Sequence, residues 1–131
     1  MGQQSIDRLR MARHHRRALG LKDAADAMED GTREQLDKFY EAYLEEREAA
    51  LMFREHTELE PERSMMFISA LGLLVCSLRD FSQGFDLVTI ALEGNPHEHD
   101  RKILEEYRQS ILKENAATRR FKSKHSLDAP G

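Results

Sequence analysis

Met65-Met66-Phe67-Ile68-Ser69-Ala70-Leu71-Gly72-Leu73-Leu74-Val75-Cys76-Ser77-Leu78 is the most apolar run of the chain. It follows Pro61, and proline is tolerated in the first turn of a helix. Only Leu73, Leu74 and Val75 look β-like, and they sit inside a longer helical pattern. The run predicts a helix from Pro61 to Leu78 that is apolar almost all round. Such a helix must be covered on every side. It is therefore either the centre of a domain or shared with another chain.

The neighbouring segments also read as helices. Upstream, Thr32 looks like an N-cap, and Gln35 three residues later completes a capping box. A helix is expected from Arg33 to His56, with Leu36, Phe39, Tyr40, Tyr43, Leu44, Ala50 and Leu51 along one stripe. Downstream, Asp80 and Gln83 read as the start of a helix that ends near Glu93, before Gly94. Asn95 and Pro96 open a final helix, with Ile103, Leu104, Tyr107, Ile111 and Leu112 along one face. That helix is expected to fade after Asn115. Residues 116–131 are polar and read as a mobile basic tail. At the N-terminus, residues 5–19 form a weakly amphipathic helix stopped by Gly20, and Asp23–Glu29 form a short turn before Gly31. Residues 1–31 are thus expected to be a loosely held basic helix and linker.

With 131 residues, one domain is the default, and the length can bury a core without staples. Apolar residues make up 40% and charged residues 34%, a composition that suits a helical chain. The expected fold is all-α, a small bundle of about five helices with its core at 32–115. The single cysteine, Cys76, excludes an intrachain disulfide, fits a reducing compartment and, in an apolar run, reads as a small core residue. The Met65–Leu78 run is shorter than the roughly 20 residues a membrane span needs. No secretory signal is visible. The start Met1-Gly2-Gln3-Gln4-Ser5 is similar to a myristoylation signal, but its serine comes one position early. The Arg-rich start also admits a targeting segment. The expected location is cytoplasmic.

The segment Asp80-Phe81-Ser82-Gln83-Gly84-Phe85-Asp86-Leu87-Val88-Thr89-Ile90-Ala91-Leu92-Glu93-Gly94-Asn95-Pro96 resembles the second half of a tetratricopeptide repeat, a unit of about 34 residues. Setting the closing proline at Pro96 puts the start at Met65. The leucine–glycine pair then falls on Leu71 and Gly72, the small residue of the second helix on Gly84, the later alanine on Ala91, and the aromatic after the turn on Phe81. Ile68 and Val75 stand where the family carries larger aromatics, and Arg79 stands at the turn glycine. One repeat is present, with its hairpin at 61–94 and the 96–115 helix as a cap. The resemblance implies a protein-interaction scaffold whose groove would be lined by Met66, Ser69, Leu73, Cys76 and Ser77. Its occupant would be the chain's own 33–56 helix, a second copy, or a helix of another protein. Ser69 and Leu73 stand where some members carry a polar clamp for a peptide carboxylate, so an apolar ligand is expected.

Net charge is −4 and unevenly spread. Residues 1–22 carry five Arg and one Lys against one Asp, residues 23–62 fourteen acids against four bases, and residues 101–131 eight bases against four acids. Arg8, Arg10, Arg13, Arg16 and Arg17 at one end, and Arg119, Arg120, Lys122 and Lys124 at the other, are candidate phosphate contacts. Phe121 is a possible stacking ring. A nucleic-acid accessory protein is therefore the alternative reading, against which the acidic overall charge weighs. His97-Glu98-His99-Asp100 is the only cluster that suggests a metal. Residues two apart on a helix point about 200° apart, so the two histidines cannot share a metal comfortably. No His-Glu-x-x-His motif, phosphate loop or Ser-His-Asp set is visible. The expectation is a non-enzymatic helical interaction module with no cofactor and no metal.

Overall fold

A computed structural model describes residues 5–128, with side chains as far as residue 121. The possible myristoylation signal therefore lies largely outside the described residues, as do the side chains of Lys122 and Lys124. Five α-helices follow in order: α1 Arg8–Asp26, α2 Arg33–Leu51, α3 Glu62–Gly72, α4 Gly84–Leu92 and α5 Glu98–Asp128. A single π-helical turn, Leu73–Ser77, continues α3. No strand occurs among the described residues, so the molecule is an all-α bundle.

Helix α3 with its π turn is the centre, as its all-round apolar character requires. Phe67, Ala70, Leu71, Leu73, Leu74 and Val75 are all buried. Helix α2 lies against both α3 and the π turn and contributes Phe39, Ala42, Tyr43 and Ala50. Helices α4 and α5 cover the remaining sides, with Leu87, Val88 and Ala91 from one and Leu104 and Ile111 from the other. Helix α1 packs along α2.

Side-chain caps explain the starts of α1 and α2. Thr32 accepts a hydrogen bond from the Gln35 N–H (3.2 Å) and Asp7 one from the Arg10 N–H (3.0 Å), each satisfying a first-turn donor. Pro61 is the residue before α3, and the Glu60 carboxylate accepts from both the backbone and the hydroxyl of Ser64. Asp80 does not cap α4 directly. It accepts from Ser82 and Gln83 in a turn, and α4 starts at Gly84. Arg79 stands at φ 54°, so a non-glycine residue holds the left-handed position of this turn.

Besides the start of α4 and that of α5, which begins at Glu98 rather than at Asn95 and Pro96, three expected boundaries move. The first helix runs through Gly20 to Asp26 and is not loosely held: Ala18 and Ala25 are buried, and the side chain of Gln35 donates to the Ala25 carbonyl at 3.0 Å. Gly20 alone is a weak stop because helix-forming residues follow it, whereas Gly31, at φ 81°, lies in a true turn. Helix α2 ends at Leu51 rather than His56, since the chain turns to drop Phe53, 0% exposed, into the interior. Helix α5 does not fade at Asn115. No glycine or proline interrupts it before Pro130, and it reaches Asp128, about 46 Å of rod at 1.5 Å per residue.

Candidate protein-docking surface

The expected groove residues do not line an open groove. Leu73 is 5% exposed and belongs to the core. Ser69 donates to the Glu46 carboxylate of α2 at 2.6 Å, and Met66 packs half-buried against the core. The chain's own α2 covers this face, so the apolar helix is satisfied from within. Ser77 is half-buried. Cys76 is exposed rather than a core residue, because it sits on the outer side of the π turn, with its sulfur 3.9 Å from the Tyr107 hydroxyl. Burial and the nearby thiol push the Tyr107 phenol up to about 12.

The α1–α2 seam is polar, which is why hydropathy undervalued it. His14 Nδ1 lies 2.6 Å from Glu45, and His15 Nδ1 2.8 Å from Glu46. The Glu46 carboxylate is 1% exposed and is shared between His15 of α1 and Ser69 of α3. Arg17 reaches Glu45 at 3.4 Å, and Arg8 reaches Glu62 at 2.7 Å. The hydrogen bond from His14 and the Arg17 guanidinium hold the Glu45 carboxyl below its ordinary value of 4.5. A carboxylate with a depressed folded pKa contributes stability that is complete above its unfolded value and lost as pH falls through the folded one. Glu45→Gln should therefore lower Tm in the neutral region and converge with the parent as pH falls below about 4.5, which flattens the acid limb. Thermal unfolding from pH 3 to 7 checks this, and an unchanged acid limb would refute it.

The basic candidates are not gathered in one patch. Arg8, Arg10, Arg13, Arg16 and Arg17 ride on α1, whose neighbour is α2, whereas Arg119 and Arg120 ride on α5, whose neighbours are α3 and α4. Two of the five on α1 are in ion pairs with acids of this chain. His97, Glu98 and His99 are exposed, and among the described residues no group of three His, Cys, Asp or Glu could hold a metal. No helix of the described residues is long and apolar enough to cross a membrane.

The bundle leaves Leu9, Leu19, Met65, Phe85 and Phe121 exposed on other elements, and on α2 it leaves part of the apolar arc uncovered. Leu36, Tyr40 and Leu44 are 40%, 38% and 38% exposed and recur every four residues, so they form one row on the helix. They had been expected to face the core together with Phe39, Tyr43, Ala50 and Leu51. The core takes Phe39, Tyr43 and Ala50 and leaves these three outside because the apolar arc of α2 is wider than the contact it makes. The row is rimmed on one side by exposed Asp37, Glu41 and Glu48, roughly 100–140° around the helix from Leu36. Tyr40 touches Tyr43, ring centroids 6.1 Å apart, which anchors the row to the core. A separate, largely apolar groove of about 570 Å³ lies between α4 and α5, lined by Phe85, Leu112, Asn115 and Thr118 among others.

Against known proteins, the chain matches no family model, no curated protein and no solved structure.

Proposed function

We propose that the protein is a non-enzymatic helical interaction module of the cytoplasm, in which a tetratricopeptide-like α3–α4 hairpin is the frame and the exposed face of α2 holds a protein partner. One observation carries the reading: Leu36, Tyr40 and Leu44 form a continuous apolar row on a helix that is packed elsewhere by α1, α3 and the π turn. Apolar anchors at four-residue spacing fit a partner helix laid along α2. The acidic rim of Asp37, Glu41 and Glu48 favours Lys or Arg beside the partner's own apolar residues, and such pairing directs register and orientation.

The variant Leu36→Gln/Leu44→Gln tests this. Glutamine keeps helix propensity, and both positions are already well exposed, so the fold should persist by circular dichroism. A partner captured by the intact protein, then purified and titrated, should lose at least about 10-fold in affinity to the variant, as expected when interface anchors are removed. Its binding should weaken with salt. Binding indifferent to both substitutions would overturn the reading. Concentration-dependent sedimentation abolished by the same substitutions would identify the partner as a second copy.

A further inference from the structure

Around the C-terminal end of α2 two arginines join its apolar residues. Tyr43, Arg47 and Leu51 succeed one another at four-residue spacing, and Arg54 follows three residues later in the turn after the helix. They form one wall of a cleft of about 440 Å³ between α2 and α4. Ser82, Gln83 and Asp86 stand on the α4 side, and Leu87 and Ile90 complete its apolar part. The volume lies within the usual range for small-ligand sites, roughly 300–1,000 Å³.

Two features of this cleft point to a bound oxyanion. Arg47 makes no ion pair among the described residues, and the Arg54 guanidinium meets only its sequence neighbour Glu55, at 3.9 Å. The second feature is Tyr43. Its side chain is 1% exposed, yet its hydroxyl has no hydrogen-bond partner among the described residues. Every wholly enclosed side-chain nitrogen or oxygen there does have a partner, so the Tyr43 oxygen opens onto the cleft it lines. Burial pushes the phenol above its ordinary value, which keeps it a donor at neutral pH. A buried aromatic with an unused donor, beside two guanidiniums without a firm carboxylate partner, forms a set of donors converging on one space.

We propose that this cleft binds a carboxylate carried on an apolar body. Arg47 and Arg54 pair with the carboxylate, the Tyr43 hydroxyl donates to it, and Leu51, Leu87 and Ile90 receive the apolar part. A planar guanidinium matches a carboxylate edge to edge. Asp86 in the same cleft disfavours a doubly charged phosphate and can accept an amide N–H from the ligand instead. An N-acylated amino acid and the C-terminus of a peptide share this chemistry. The site lies on the α2–α4 side and needs no partner along Leu36–Leu44.

Titration of the full-length, isotope-labelled protein by NMR tests the proposal with four probes: N-acetyl-leucine, N-acetyl-leucinamide, inorganic phosphate, and an acetylated pentapeptide ending in leucine. N-acetyl-leucine should shift the Tyr43 ring and the Arg47 and Arg54 Nε signals with a Kd on the order of 1 mM. The amide should bind about 10-fold more weakly, as should the acid to Tyr43→Phe or Arg47→Gln, since each change removes a hydrogen bond to a charged group. Tighter binding of the pentapeptide supports the site with a peptide terminus as its ligand, and equal binding supports it with a free acid. The Leu36→Gln/Leu44→Gln variant should bind N-acetyl-leucine unchanged, so failure of the docking face does not count against the cleft. Acid and amide binding alike, phosphate binding more tightly than the acid, or no shift at about 10 mM would each overturn it.

Discussion

Replacing Arg63 with alanine is expected to remove at least about 3 kcal/mol of folding stability, because several hydrogen bonds from one buried charged donor, worth roughly 1.5–3 kcal/mol each, are lost together. Arg63 is 1% exposed, yet no carboxylate forms an ion pair with it among the described residues. Its guanidinium instead donates to four backbone carbonyls: Nε to Phe53 (3.1 Å), Nη1 to Ala91 (2.9 Å), and Nη2 to Arg54 (3.2 Å) and Ile90 (2.9 Å). These carbonyls lie just after α2 and at the end of α4, where helices leave acceptors unsatisfied and carry partial negative charge. The guanidinium also lies over the Phe67 ring, 5.0 Å from its centroid. One side chain thus ties α3 to the ends of two other helices. Burial pulls its pKa below the ordinary arginine value, and Glu60, Glu93 and Glu55 counter that at longer range.

Lysine in its place keeps a charge but offers a point donor instead of a rigid fork. Arg63→Lys should therefore recover only part of the loss, and urea midpoints at constant slope measure both variants. A lysine variant as stable as the parent would mean that charge alone suffices. Gly94 belongs to the same argument. A Cβ there would lie 2.1 Å from Arg63 Nη1, so Gly94→Ala should also destabilise. In the Arg63→Ala background the obstruction is gone and that cost should largely vanish, a non-additivity that separates this contact from a general effect on the turn.

Arg63 also marks the limit of what the sequence told. The central helix was legible because fourteen consecutive positions are nearly all apolar, and Thr32 with Gln35 declared a helix start in two residues. Nothing near Arg63 distinguishes it from any exposed arginine after a proline. Its partners lie up to 28 residues away, and their carbonyls are aligned only once α2 and α4 have docked. Helix α1 was undervalued for a related reason. What it buries is Ala18 and Ala25, and what it exchanges with α2 is His14–Glu45 and His15–Glu46, so hydropathy periodicity has little to register. The candidate docking row was visible as residues but assigned to the wrong side. A stripe of seven apolar residues on α2 says that the helix is amphipathic, not how many of the seven its neighbours have room to cover. The oxyanion cleft joins residues about 40 positions apart and has no local signature at all.

Gly84 carries the second large expected effect, because the close approach made there is of a different kind from the one the repeat pattern implies. The pattern reads a small residue at this position as room for the two helices of the hairpin. A Cβ built on Gly84 would instead lie 2.6 Å from Cδ1 and 3.2 Å from Cγ1 of Ile111 on α5, with Leu74 Cδ2 at 3.5 Å. Ile111 and Leu74 are both 0% exposed, so the isoleucine tip has little free space to retreat into. Gly84→Ala should therefore cost about 1–3 kcal/mol, the usual penalty for adding a methyl group to a filled core. Ile111→Val deletes the Cδ1 atom that makes the closest contact, and alone should cost about 0.5–1.5 kcal/mol. Together the two substitutions should be less destabilising than the sum of their separate costs, with a favourable coupling of at least about 0.5 kcal/mol. Additive losses would mean that Gly84 is needed for its backbone rather than for its missing side chain. A favourable coupling would instead assign Gly84 to the seating of α5, so that the long final helix is packed into the hairpin itself rather than merely capping its end.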